Sequence, residues 1–150
     1  MQIFVDADAC PVKDEAVRVA ERYGIDVYFV ANSFMRLQDS AFVKRVVVGD
    51  KFDEADNWIA ERCGLDDIVV TADIPLAARC LEAGASVIGA TGKPFTKASI
   101  GMALAMRELM SDLRAMGEAG GGNAPFSKAD RSRFLQAMDS AVQTIKRRTT

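Results

Sequence analysis

Ile3-Phe4-Val5-Asp6-Ala7-Asp8-Ala9-Cys10-Pro11 is the stretch from which the rest of the chain is read. An apolar run stops at Asp-x-Asp, and Pro11 suits the opening position of a helix. A strand that ends in two acids leaves them at the C-terminal edge of a sheet, where open α/β sheets bind ligands. Carboxylates this close repel each other unless one is protonated or a cation lies between them. Ala7 and Ala9 are small enough to leave room for that cation. For this stretch alone a plainer reading has equal weight: Asp8 caps the helix and Asp6 merely ends the strand.

Outward from that stretch, Val12, Ala16, Val17, Ala20 and Tyr23 recur at helical spacing, and Gly24 stops the helix. Short apolar runs at 26–31, 45–49, 67–71 and 86–89 predict four more strands, the run at 45–49 being β-branched as buried strands are. Helices are expected over 50–63 and 75–82, ending at Gly64 and Gly84, while 32–42 has no clean period and reads as a loop with room for one helical turn. Strands separated mainly by helices predict a parallel sheet covered on both faces.

A long helix follows over 99–116, with Met102, Met106, Leu109, Leu113 and Met116 along one stripe. Such a stripe is read as core, its commoner fate, and any part left exposed is a candidate dimer contact. Residues 117–126, with Gly120-Gly121-Gly122, form a connector that lacks the ending of a phosphate loop. Ser127 then caps a helix over 127–148, with Asp130 completing a capping box and Lys146-Arg147-Arg148 complementing the helix dipole. No repeat or second domain is visible, so residues 1–150 are expected to form one domain.

Composition narrows the chemistry. The chain has 150 residues, 49% of them hydrophobic and 27% charged, with net charge −2, so nucleic-acid contact would need a local basic patch. It has no histidine, which removes Ser-His-Asp and Cys-His nucleophile systems and the commonest zinc ligand. Three cysteines, far apart and without CxxC, argue against a disulfide framework and for a reducing, cytoplasmic setting. No basic n-region of a signal peptide and no apolar run of about 20 residues is seen, so neither export nor a membrane span is expected.

Where the acids fall is more informative. With about 100° per residue and Phe52 as reference, Ala55, Ile59 and Cys63 define the buried face of the middle helix, and Asp56 lies only about 40° away. An unpartnered carboxylate there must be protonated or meet a cation. Asp53 sits on the flank of the stripe, and Asp50 serves as N-cap. The fourth strand runs through Thr71 to Asp73 just before Pro75; alone, Asp73 is better read as a helix cap than a ligand. In a doubly wound sheet strands one and four are neighbours where the strand order reverses. Asp6, Asp8 and Asp73 would then converge, with Asp53 or Asp56 arriving from the helix. An oxygen-rich, histidine-free set of this kind suits Mg²⁺ or Mn²⁺. Lys13 stands in the first turn of its helix, where a cation is disfavoured, and either partners these acids or a phosphate, or is solvated beside Asp14 and Glu15. Ser33 and Arg36 after strand two, and Lys93, Thr96 and Lys97 after strand five, suit phosphate contacts or an ordinary polar loop.

These motifs resemble a known family. Asp6-Ala7-Asp8-Ala9-Cys10-Pro11-Val12-Lys13, Gly49-Asp50-x-x-Asp53-x-x-Asp56, Thr71-Ala72-Asp73-Ile74-Pro75-Leu76-Ala77 and Pro125-Phe126-Ser127-Lys128-Ala129-Asp130-Arg131 resemble the YaiI/YqxD family of uncharacterised bacterial proteins, along nearly the whole chain. That family is similar to PIN/NYN-like nucleases. The resemblance implies a three-layer α/β/α sandwich with a five-stranded parallel sheet of order 3-2-1-4-5. It also implies an acid cluster binding Mg²⁺ or Mn²⁺ for phosphodiester hydrolysis, usually of RNA. Asp6 and Asp8 match the acid ending strand one, and Thr71-x-Asp73 resembles the Thr/Ser-x-Asp of the later strand. Asp53 or Asp56 stands where those nucleases more often carry glutamate.

Three functions follow from this reading. The first is a metal-dependent nuclease using Asp6, Asp8, Asp73 and Asp56, with Lys13 neutralising phosphate charge and Ser33, Arg36, Thr71, Lys93 and Thr96 contacting substrate. The second is a haloacid-dehalogenase-like phosphatase, which shares Asp-x-Asp but expects its threonine before the metal acids, whereas Thr71 follows Asp50 to Asp56. The third is an inert PIN-like domain that binds RNA or a protein partner, in keeping with the acidic net charge.

Overall fold

Five strands pair entirely in parallel in the order β3-β2-β1-β4-β5, with β1 at Ile3–Asp6, β2 at Val27–Ala31, β3 at Val43–Val47, β4 at Ile68–Val70 and β5 at Ser86–Ile88. The computed structural model describes residues 1–8, 10–51, 53–115 and 125–149, and side chains for all of these except 107 and 110–115. Phe52, the connector's Gly120–Gly122 and Asn123, and Met116 lie outside the described residues.

Strand alternation sorts the sheet into two cores. Ile3, Val5, Val27, Phe29, Ile68, Val70 and Ile88 face one side, where α1 (Lys13–Tyr23) and α5 (Lys128–Thr149) cover them. Phe4, Val30, Val69 and Val87 face the other, against α2 (Glu54–Arg62) and α3 (Ile74–Glu82), with Ile100 of α4 (Lys97–Ala115) at its margin. The sandwich is thus the α/β architecture the strand–helix alternation predicts, in the strand order the resemblance implies. The switch point falls between β1 and β4.

The last helix is integral to the first core. Phe134, Met138, Val142 and Ile145 are fully buried, and their spacing puts one apolar stripe against α1 and the sheet. Ser127 and Asp130 form the expected capping box at 2.9 and 3.1 Å. At its N-terminal end Gly92, with φ +87°, passes so close to α5 that a Cβ there would stand 2.5 Å from the Arg133 carbonyl oxygen. Tyr23 and Arg22 both donate to Asp139 farther along the helix.

Several expected boundaries move. Helix α1 starts at Lys13 rather than Pro11, because the chain turns through 11–12 first; the N-cap is Val12, not Asp8. Strand β3 lies two residues earlier than 45–49 and is not buried: it pairs only with β2, and Lys44, Arg45 and Val47 are exposed. Charged side chains on such a strand discourage pairing with another sheet edge. Residues 32–42 hold no helical turn. Helix α2 starts at Glu54, with Asp53 rather than Asp50 at its N-cap, in the left-handed region at φ 68°. The methionine stripe is the largest correction. Met102, Met106 and Leu109 are 76%, 57% and 52% exposed, since α4 meets the second core through Ile100 on its opposite side. Cys10, Cys63 and Cys80 are free thiols, and no described helix is long and apolar enough to cross a membrane.

Candidate functional site

The register of β1 against β4 builds the centre of the site. Val5 lies opposite Val70, so the next residues, Asp6 and Thr71, stand side by side at the strand ends. By alternation both turn toward the side covered by α2 and α3. The Thr71 hydroxyl donates to Asp6 Oδ2 at 2.9 Å and receives the Asp73 backbone N–H at 3.0 Å. Asp73 in turn caps α3, its Oδ1 accepting the Leu76 N–H at 2.9 Å, with Pro75 in the first turn. One buried hydroxyl therefore ties the acid of β1 to the loop that carries the acid after β4.

Asp8, exposed, accepts the Asn32 N–H at 3.2 Å, which anchors the loop after β1 to the end of β2. From the far side α2 contributes Asp56. Its helix buries Ala55, Ile59 and Cys63 as the periodicity predicts, and leaves Asp56 half-buried beside that stripe. The result is a groove of about 540 Å³ lined by Asp6, Asp8, Asp53, Asp56 and Asp73, with Asn32, Asp50 and Lys51 at its borders. A smaller cavity of about 230 Å³ continues from Asp6, Asp8 and Asp73 past Thr71 and Ala72 to Cys10 and Ala90.

Electrostatics mark these acids as crowded. Burial pushes the Asp56 carboxyl up to about 6, and Asp73, Asp6 and Asp53 add to it, while Arg79 opposes. Arg79 is held by Asn57 at 2.8 Å. Burial likewise raises Asp6; the Thr71 hydrogen bond pulls the other way, and Asp73 and Asp8 raise it further. Groups displaced by burial and like charge in a cleft are marks of functional sites. The donors are all oxygens, as a hard divalent cation prefers. Among the described residues, no three acid or cysteine side chains already stand together as a cage for a metal ion.

All five acids expected as metal ligands therefore line one groove. The other expected residues divide. Thr71 is within it, as the hydroxyl that bonds Asp6. Lys13 reaches back to the Cys10 carbonyl at 3.2 Å. Thr96 caps α4 in a reciprocal pair with Ser99, at 3.0 and 2.8 Å. Lys93 lines an adjoining groove of about 380 Å³ that meets the acid cleft at Ala72 and Ala90. Ser33 and Arg36 are exposed in the loop after β2 and do not line the acid groove.

Sequence reasoning passed over Asn32, Lys51 and the lining role of Asp50. The position of Asn32 directly after β2, beside the switch point, was the available signal for it. It also passed over Arg131, which donates to the Pro11 carbonyl at 2.7 Å and to Glu15 at 2.9 Å. Glu15 is buried, and Arg131 lies over the Phe126 ring at 4.9 Å. The motif at 125–131 thus braces the loop that follows Asp8.

Comparison with known proteins places this arrangement in a lineage. The model of a family described as "Uncharacterized BCR, YaiI/YqxD family" matches residues 4–144. A UPF0178 protein of Parvibaculum lavamentivorans is 60% identical over 147 residues, 98% of this chain and 97% of its own length. One from Sphingopyxis alaskensis is 61% identical over 97% of this chain and 95% of its own length, and one from Nitrobacter winogradskyi 57% over 98% and 94%. No solved structure matches the chain.

Proposed function

The chain belongs to the YaiI/YqxD family, and we propose that it is a Mg²⁺- or Mn²⁺-dependent nuclease that hydrolyses phosphodiester bonds in RNA. The observation that carries this reading is the convergence of Asp6, Asp8, Asp73 and Asp56 on one groove at the β1–β4 switch point. Asp6 and Asp73, linked through Thr71, together with Asp8 would hold the cation, with Asp56 facing them from α2. When bound, such an ion supplies Lewis acidity toward a phosphodiester and charge to offset its negative oxygens. Thr71 fixes which Asp6 oxygen is engaged within the protein. A carboxyl held near neutrality, as Asp56 is, can accept or return a proton close to physiological pH. Lys93, in the adjoining groove, is placed to meet a phosphate farther along a strand.

The test is incubation of the purified protein with labelled single-stranded RNA and Mn²⁺, with EDTA and Asp6→Asn/Asp73→Asn as controls. Cleavage abolished by both controls is the expected result. Intact RNA with a wild type whose circular dichroism is native would overturn the reading. A second reading, an inert domain that binds RNA or protein, is in keeping with the net charge of −2. Binding of RNA without cleavage, unchanged by Mn²⁺, would be its signature.

A further inference from the structure

Among the described residues Phe34 is the one aromatic side chain that is exposed, at 74%, while the others are buried or partly so. It is not loose. Arg45 of β3 lies over its ring, 4.8 Å from the centroid, and the same guanidinium donates through Nε to the Met35 carbonyl at 3.1 Å. One charged plane therefore fixes the ring and the loop that carries it, and the Nη groups of Arg45 remain for another acceptor. The surroundings are basic. From the end of β2 to the end of β3 the chain carries Arg36, Lys44 and Arg45 against Asp39, three cations to one acid and so a local +2, in a protein of net charge −2. All three cations are exposed, and among the described residues none forms an ion pair with a carboxylate. This is the local basic patch that contact with a polyanion requires in an acidic chain.

Its place in the fold ties it to the acids. Asn32 lines the acid groove and donates its N–H to Asp8 at 3.2 Å. Phe34 follows two residues later, within about 7 Å along the chain. Lys93 stands on the opposite, β5 side of the switch point, so a strand crossing the acids meets a cation on either flank. An exposed ring set among cations is the combination that holds unpaired nucleic acid: a base stacks on the ring and the backbone follows the charge. A base inside a duplex is already stacked on both faces and offers neither face to the ring. Resting on the RNA substrate of the proposed function, we infer that Phe34, oriented by Arg45, is a nucleobase-stacking platform beside the acid groove, and that it selects single-stranded RNA over duplex.

The test is binding, read by fluorescence anisotropy with a labelled mixed-sequence RNA strand and with the same strand annealed to its complement. It is run in EDTA on the full chain carrying Asp6→Asn/Asp73→Asn, which removes two charges that repel phosphate. Adding Phe34→Ala should weaken single-strand binding about tenfold while circular dichroism stays native. The salt dependence should not change, because no charge is removed. Phe34→Trp should keep the affinity of the parent, and the duplex should bind more weakly than the single strand. The platform is overturned if Phe34→Ala binds as tightly as its parent, if Phe34→Trp is as weak as Phe34→Ala, if the duplex binds equally well, or if the parent binds no RNA. Neither metal nor cleavage enters, so the two readings fail separately. Loss of binding in Phe34→Ala with no Mn²⁺-dependent cleavage by the wild type would sink the nuclease alone. Cleavage by the wild type, with binding indifferent to Phe34→Ala, would sink the platform alone.

Discussion

Thr71 and Asp6 share a 2.9 Å hydrogen bond although 65 residues separate them, and the same hydroxyl receives the Asp73 amide. Replacing Thr71 by Val keeps the β-branched shape and removes both interactions. It leaves a part-buried N–H and a carboxylate short of a donor, which should destabilise the fold by about 1–3 kcal/mol. Loss of the donor also moves the Asp6 carboxyl further up, since that bond is what pulls it down. Urea unfolding and carboxyl titration by NMR would report the two effects; an unmoved Asp6 would show that the bond is not formed in solution.

Asp73 has two separable roles. Its Oδ1 caps α3, and its charge belongs to the acid groove. Asp73→Ala should lose about 1 kcal/mol, whereas Asp73→Asn retains a good cap and near-wild-type stability. On the proposed function both variants lose Mn²⁺-dependent cleavage. Comparing their unfolding midpoints with their activities distinguishes cap from ligand.

Stability should fall as pH rises through the range in which Asp56 ionises. Its carboxyl titrates at 3.8 in an unperturbed chain and at about 6 in the folded protein. Between those values the native state holds a proton that the unfolded chain has released, so raising pH favours unfolding. The contribution is complete below the lower value and lost above the upper one. Asp56 is partly exposed, and after allowance for solvent screening about 1 kcal/mol is the expected scale. Asp56→Asn should be more stable than wild type by that amount at about pH 7.5 and equal to it at about pH 3.5. Denaturation midpoints of the two proteins at both pH values check the sign.

If the groove holds a divalent cation, Mn²⁺ relieves the same crowding. A free concentration a hundred times Kd adds about 2.7 kcal/mol, which for 150 residues raises Tm by roughly 5–10 °C. Asp6→Asn/Asp73→Asn should show no rise. A melt that Mn²⁺ leaves unchanged in the wild type counts against the metal site.

The docking of α5 offers a purely structural check. Gly92→Ala combines a positive φ with a Cβ 2.5 Å from the Arg133 carbonyl and should destabilise by about 2 kcal/mol or more. Arg131→Ala strands the buried Glu15 and should cost about 2–3 kcal/mol. Thermal melts of both variants test whether the helix is fixed as described.

The parallel sheet was legible because β1, β2, β4 and β5 are short apolar runs bounded by glycine, acidic or other polar residues, a pattern with few alternatives. Strand β3 was misread because Val46 and Val47 look as buried as Val69 and Val70, whereas pairing on one side only leaves Val46 partly buried and Val47 exposed. The acid groove was legible in outline, since strand ends and a helical period fix Asp6, Asp73 and Asp56. Asp53 shows the limit: a non-glycine residue in the left-handed region is set by tertiary constraints that no period encodes. The local partners of Lys13 and Thr96, the Cys10 carbonyl and the Ser99 amide, were not legible, because spacing does not say which nearby group a side chain meets. Met102 and Met106 show that a stripe marks an apolar face but not that the face is buried.

One face of the sheet depends on a helix made more than a hundred residues after the strand it covers. Ile3 and Val5 emerge early in synthesis, while Phe134, Met138, Val142 and Ile145, which seal the same core, are translated far later. Until then α1 alone covers its side of the sheet, even with α2 and α3 already in place on the other. Commitment to the native state should therefore wait for α5 to leave the ribosome, and a nascent chain stalled before residue 134 should remain a chaperone substrate.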